Sequence, residues 1–294
     1  MHFRGVCFFL FGGKAVICAW EAQFRRNPIT FFPPLFMQQR PYQYLVFLQY
    51  LGLRYRGWQK QAGQKTVQGQ LERVIRFVLG HEEFTVLGAG RTDSGVSAAE
   101  GAFALHSAEQ IHPESFLQGV NAMLPADILL LRCQEVPLTF NIIQDVEQKE
   151  YRYYFRLGAK PAPLESAYQG YFAEDLALEA LQAAALLFEG THDFRCFCPR
   201  QKTSASYVRT IFQSRIVALE PTEKGNFNGY YQVRGTGFLM HQVRMMLGAL
   251  LAVGRGEKRA EDLKAALQTE KKEPFAAAVP AHGLVLHRLH FRGL

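Results

Sequence analysis

The chain has 294 residues, 48% of them hydrophobic, with 33 Lys plus Arg against 26 Asp plus Glu for a net charge of +7. That composition buries a core and excludes a disordered or fibrous chain, while the basic excess favours a polyanionic partner such as nucleic acid without establishing one. Five cysteines, an odd number in a long chain, argue for a reducing compartment such as the cytoplasm, and no apolar run approaches the length of a membrane span.

Residues 1–36 open with a charge and a short apolar run, but Lys14 interrupts that run and no A-x-A-like cleavage site follows. They read as an N-terminal extension, disordered or translated from upstream of a true start near Met37. Setting them aside leaves 29 basic against 25 acidic residues, so the basic signal of the body is mild. "YQYLVFLQYL" (42–51) predicts a buried strand. "TVQGQLERVIRFVLG" predicts an amphipathic helix with Thr66 as N-cap, one apolar face and Gly80 as its stop. Short strands follow at "FTVLGAG" (84–90) and "GAFALHS" (101–107), then a helix opened by Pro113 and a strand at "ILLLRCQEV" (128–136).

From Tyr151 the order recurs. "YRYYFRLG" predicts a strand, and "DLALEALQAAALLFEG" a helix opened by Asp175 and stopped by Gly190. "VRTIFQSRIVALE" and "GYYQVRGTGF" predict strands, "HQVRMMLGALLAVGRG" and "AEDLKAALQT" helices, and "GLVLHRLHF" the last strand. Apart from one extra helix, both halves are β-α-β-β-α-β. The expected fold is therefore α+β, with two ferredoxin-like halves (37–145 and 146–294) side by side and a mostly antiparallel sheet carrying its helices on one face.

Three stretches carry candidate chemistry. In "YLGLRYRGWQKQ" (50–61), Tyr50, Tyr55 and Trp58 alternate with Arg54, Arg56 and Lys60, a mixture that stacks on bases and neutralises phosphates, or equally a solvated loop whose aromatics fold back onto the core. "RCFCPRQK" (195–202) adds Arg200 and Lys202. Its pair Cys196-Phe-Cys198 has no second pair at ligand spacing, so both read as ordinary thiols with no metal. In "GAGRTDSGVSA" (88–98) a single carboxylate, Asp93, sits among glycines. The loop is followed by a strand rather than a helix, which rules out a dinucleotide fingerprint, and no Gly-Lys-Ser/Thr closes a P-loop. Asp93 is then either a turn residue bonding its own backbone or a carboxylate held ionised by Arg91 and Thr92, and an ionised, held carboxylate is a nucleophile. In "GTGFLMHQVRMMLG" (235–248), Val243, Met246, Leu247, Leu250 and Val253 form a core stripe. Arg244 lies near the helix N-terminus, where a cation opposes the macrodipole; it is either solvent-facing or compensated by an acid, for which Asp93 is a candidate.

Together with "TVQGQLE", "NAMLPADI", Lys149-x-Tyr151-x-Tyr153, "GTHDF", "VRTI", "GFLMHQVRMMLGALLAVGRG" and "PAHGLVL", these stretches resemble, in order, the motifs of the tRNA pseudouridine synthase A family, over about residues 42 to 290. The resemblance implies two ferredoxin-like halves in one extended sheet and cofactor-free isomerisation of uridine at positions 38–40 in the anticodon arm of tRNA. It also implies a homodimer, since family members place the RNA across two protomers. It casts Asp93 as nucleophile, Tyr151 as the substrate-contacting tyrosine and Arg244 as the partner of the nucleophile. Arg91 would help extrude the base, and Leu284 would be an apolar pocket residue. The chain departs from the family pattern at Ser94 (usually Ala), at Ser97 (usually His) and at Phe140-Asn-Ile-Ile143 (usually Phe-His-Ala-Arg), which loses a cation. Those departures leave a divergent RNA-binding paralogue without turnover as the alternative. A phosphate-binding metabolic enzyme built on the Gly loop is the weaker third reading.

Overall fold

The computed structural model describes residues 7–11, 14–18, 40–173, 176–199, 206–219, 226–269 and 273–293. Residues 1–37 form a unit of their own, in which β1 (Cys7–Phe11) and β2 (Lys14–Cys18) pair antiparallel. Residues 38–294 form the second unit. It is built from β3 (Tyr42–Tyr50), α1 (Val67–Leu79), β4 (Phe84–Gly88), β5 (Ser97–Ser107), α2 (Pro113–Met123) and β6 (Ile128–Glu135), followed by β7 (Val146–Leu157), a short β8 (Gly170–Phe172), α3 (Leu178–Leu186) and β9 (Gly190–Asp193). It closes with β10 (Val208–Ala218), β11 (Phe227–Gly235), α4 (Gln242–Gly254), α5 (Ala260–Ala266) and β12 (Leu284–Phe291).

These strands make one ten-stranded sheet in the order β6-β3-β5-β12-β7-β11-β10-β9, with β4 also on β5 and β8 on β7. Each half has the ferredoxin-like neighbour order: β6-β3-β5-β4 first, then β12-β7-β11-β10. The halves join where β12 runs parallel to β5, pairing Val285 with Ser97 and Leu286 with Ala98. On the same edge of β5, but at its other end, β4 pairs antiparallel from Phe84–Ser107 to Gly88–Phe103. One strand edge thus serves two partners that diverge, and the loop carrying Asp93 leaves β4 and re-enters β5 at that fork.

Local signals explain most elements. Thr66 Oγ1 accepts the Gly69 N–H at 3.3 Å, and Gly80 (φ 74°) stops α1, whose Val67, Leu71, Val74 and Ile75 are buried. Along β7, Tyr151, Tyr153 and Phe155 point to the buried face, and Arg152, Tyr154 and Arg156 to the more open one. The structure departs from expectation at several elements: β7 begins at Val146 rather than Tyr151, and the short β8 was not expected. β5 begins at Ser97 rather than Gly101, because pairing with β3 and β12 enlists small residues of low strand propensity. α3 ends at Leu186, where i→i−3 bonds from Leu187, Phe188 and Glu189 tighten the chain, and Gly190 opens a strand instead of stopping a helix. Its N-cap is Ala177; the expected cap, Asp175, lies outside the described residues. α4 is buried nearly all round rather than along one stripe, Arg244 excepted.

No described helix is long and apolar enough to cross a membrane, and among the described residues no group of three or more His, Cys, Asp or Glu could hold a metal ion. Cys133, Cys196 and Cys198 are free thiols.

Candidate active site

A cleft of about 850 Å³ opens at the fork of β4 and β12. It is lined by the Gly88–Ser94 loop, by Arg56, Trp58 and Gln68 from the first half, and by Lys149, Tyr151, Phe238–Val243 and Leu284 from the second. Its floor is built by packing around Trp58, which is 4% exposed and stands beside Tyr50 and Phe103. A Cβ on Gly88 would run into the Trp58 indole, so only glycine lets β4 end against that ring. Gly57 turns with φ +92°, and a Cβ there would lie 2.6 Å from the Thr92 carbonyl oxygen. The two glycines let the 50–61 and 88–98 loops interlock.

That interlock fixes the acid. The Trp58 N–H donates to the Thr92 carbonyl at 3.2 Å, the Gly95 N–H to the Tyr55 carbonyl at 3.1 Å, and the Val96 N–H to the Asp93 carbonyl at 3.2 Å. Thr92 Oγ1 meets the Tyr50 hydroxyl at 2.8 Å, so this hydroxyl holds the loop and not the carboxylate. The Asp93 side chain, 25% exposed, faces α4 instead: Arg244 Nη1 lies 3.4 Å and His241 Nε2 3.6 Å from its Oδ2. Arg244 is itself anchored by Nε donating to the Val279 carbonyl at 2.7 Å. Tyr151 is 9% exposed with its ring edge-on to Phe238 at 5.2 Å; burial first, then Tyr50 and Asp93, push its hydroxyl pKa well above the usual tyrosine range. Lys149 donates to the Ala89 carbonyl at 2.8 Å, and burial lowers its pKa.

The cleft therefore brings Asp93, Arg91, Tyr151 and Leu284 together, with Arg56 and Trp58, while Arg244 does not line it and reaches Asp93 at 3.4 Å. Arg91 is exposed and, among the described residues, forms no ion pair; the cation beside Asp93 is Arg244. Arg54 is taken up by Asp127 at 2.6 Å and Lys60 by Glu72 at 2.6 Å, and neither lines the cleft. Tyr55 is buried with its hydroxyl donating to Asp127, so the aromatics of this loop fold back onto the core. Arg200 and Lys202 lie outside the described residues. Ser97 faces away from the cleft, accepting the Gly52 N–H at 2.9 Å, whereas Ile143 lines it and is 58% exposed. The sequence reading named Lys149 in the Lys149-x-Tyr151-x-Tyr153 run but gave it no role, and did not single out His241, whose sign was a polar ring immediately ahead of an apolar helix.

The two-halved α+β sheet is that of the pseudouridine synthase fold. A family model described as tRNA pseudouridine synthase matches residues 184–292. Proteins named tRNA pseudouridine synthase A from Shouchella clausii (34% identical, over 83% of this chain and 91% of that protein), Acetivibrio thermocellus (33%, over 84% and 98%) and Clostridium acetobutylicum (34%, over 83% and 97%) are similar along most of their length. A solved archaeal box H/ACA sRNP Nop10-Cbf5 complex aligns at a TM-score of 0.32 and 14% identity, covering 69% of this chain and 45% of that one, too little to carry weight. The chain belongs to the tRNA pseudouridine synthase A family, isomerases of uridine in tRNA.

Proposed function

We propose that this chain converts uridine to pseudouridine in the anticodon arm of tRNA, at positions 38, 39 and 40, with Asp93 as nucleophile and no metal or organic cofactor. The observation that carries the reading is the Asp93 carboxylate, held against Arg244 at 3.4 Å in a cleft it shares with Tyr151. The net reaction breaks the N1–C1′ bond, forms a C5–C1′ bond, and moves one proton off C5 and one onto N1. A carboxylate supplies the electron pair that holds the intermediate covalently, and recovers it when the C–C bond closes. Tyr151 stacks on the base, and its hydroxyl, kept neutral by burial, relays the C5 proton. The base must leave the helical stack to enter the cleft, and the exposed Arg91 fills its place. Leu284 packs against the bound base, and Arg56 meets the phosphate chain at the rim. The working unit is a cytoplasmic homodimer with tRNA across both copies.

The experiment is to incubate the protein with unmodified tRNA transcripts and map pseudouridine by carbodiimide-dependent reverse-transcription stops. Stops at positions 38–40 support the reading. Stops elsewhere overturn the target, and tRNA binding with no stops favours the binding-only paralogue, for which the exposed Ile143 in the cleft is the motivating observation.

A further inference from the structure

His241 is the one non-glycine residue with positive φ (58°) among the described residues. A left-handed conformation costs an L-residue roughly 1–2 kcal/mol and persists only where the surroundings impose it. Capping does not account for it. His241 is the N-cap of α4 yet makes no side-chain capping bond, and the neighbouring Gln242 side chain accepts the Leu239 N–H ahead of the helix at 2.7 Å. What the strained backbone achieves is to turn the imidazole into the cleft, with Nε2 3.6 Å from Asp93 Oδ2. Arg244, three residues on, approaches the same oxygen at 3.4 Å, and among the described residues no ion-pair partner stands at Oδ1.

Resting on Asp93 as the nucleophile, we infer that His241 is a positioning residue: with Arg244 it clamps Oδ2, fixing the carboxylate plane so that Oδ1 is the oxygen offered to the substrate. The Arg244 donor at 3.4 Å and the imidazole nitrogen at 3.6 Å crowd one oxygen and leave the other as the less engaged one open to substrate, and a held rotamer removes the search for attack geometry.

The test pairs two substitutions with opposite effects on backbone and donor. His241→Gly relieves the left-handed strain but removes the ring; His241→Gln keeps an N–H of similar reach but not the relief. Single-turnover release of tritium from C5-labelled uridine in an unmodified tRNA transcript is measured at saturating enzyme, alongside melting temperature and tRNA Kd. The inference expects the Gly variant to melt no lower than wild type and to bind tRNA equally well, yet to react at least ~10-fold slower, and the Gln variant to stay within about threefold of wild type although less stable than Gly. A Gly variant as fast as wild type, or faster than Gln, overturns it, since a merely structural His241 would track stability. Absence of tritium release from wild type would instead sink the isomerase reading itself.

Discussion

Arg244 and Asp93, 151 residues apart in the chain, meet at 3.4 Å where the first turn of α4 faces the loop between β4 and β5. The Arg244 side chain is 14% exposed, and its Nε donates to Val279, so the guanidinium is aimed before any RNA arrives. Arg244→Ala is expected to lower the single-turnover rate by about 10²-fold, the scale of removing one preorganised charged donor. Arg244→Lys should recover little, because an ammonium cannot serve the carbonyl and the carboxylate in one fixed fork. Rates of the Lys variant matching wild type would refute this.

Tyr151 separates packing from chemistry. Tyr151→Phe keeps the ring against Phe238 and removes only the hydroxyl, so melting should change by little while tritium release falls by about 10²-fold, the general acid–base range. A Phe variant with normal turnover would confine Tyr151 to stacking.

Burial also sets an alkaline limit. Tyr50, Tyr151, Tyr153 and Tyr231 all have hydroxyl pKa values raised, first by burial, above the ordinary tyrosine value of 10.0. Above that pH the unfolded chain releases these protons and the folded chain retains them, so the stabilisation present below it is lost as pH rises. Each such tyrosine steepens the fall by roughly 1.4 kcal/mol per pH unit. Urea midpoints at pH 9 and pH 10.5 test this; equal midpoints would contradict it.

Ile143 is an exposed apolar residue on the cleft wall, at a position where the family resemblance implies Arg. Ile143→Arg is expected to tighten tRNA binding and to steepen the slope of log K against log salt by about 0.7–0.9, one added phosphate contact. An unchanged slope would mean the RNA backbone does not pass that wall.

Gly57→Ala should cost about 1–3 kcal/mol in urea unfolding, since φ +92° and the Thr92 carbonyl both oppose a Cβ, and it should displace the Asp93 loop. Stability and turnover equal to wild type would show that the interlock of the two loops is dispensable.

The regular elements were readable from periodicity and punctuation: Thr66 and Gly80 bracket α1 as their chemistry dictates. What was not readable came from tertiary pairing. Ser97-Ala-Ala-Glu-Gly has little strand propensity and becomes strand only because β3 and β12 supply partners. The site divides the same way. The local motif exposed Asp93, and of the two cations offered for it, Arg91 beside it and Arg244 near the start of α4, the ion pair is with Arg244. Tyr55 looked like part of a stacking surface and is core, since alternation of aromatics and arginines does not reveal that Asp127 sits beneath. The sequence marks His241 as a polar ring ahead of an apolar helix but gives no sign of its left-handed backbone.

The proposed role of Asp93 as nucleophile is open to direct measurement. Tritium released from C5-labelled uridine in tRNA, by wild type and by Asp93→Asn at equal tRNA occupancy, tests it most directly. A nucleophilic Asp93 requires release by wild type and a loss of at least ~10³-fold in the Asn variant, which keeps the shape and loses the nucleophile. Equal release by both proteins would contradict it.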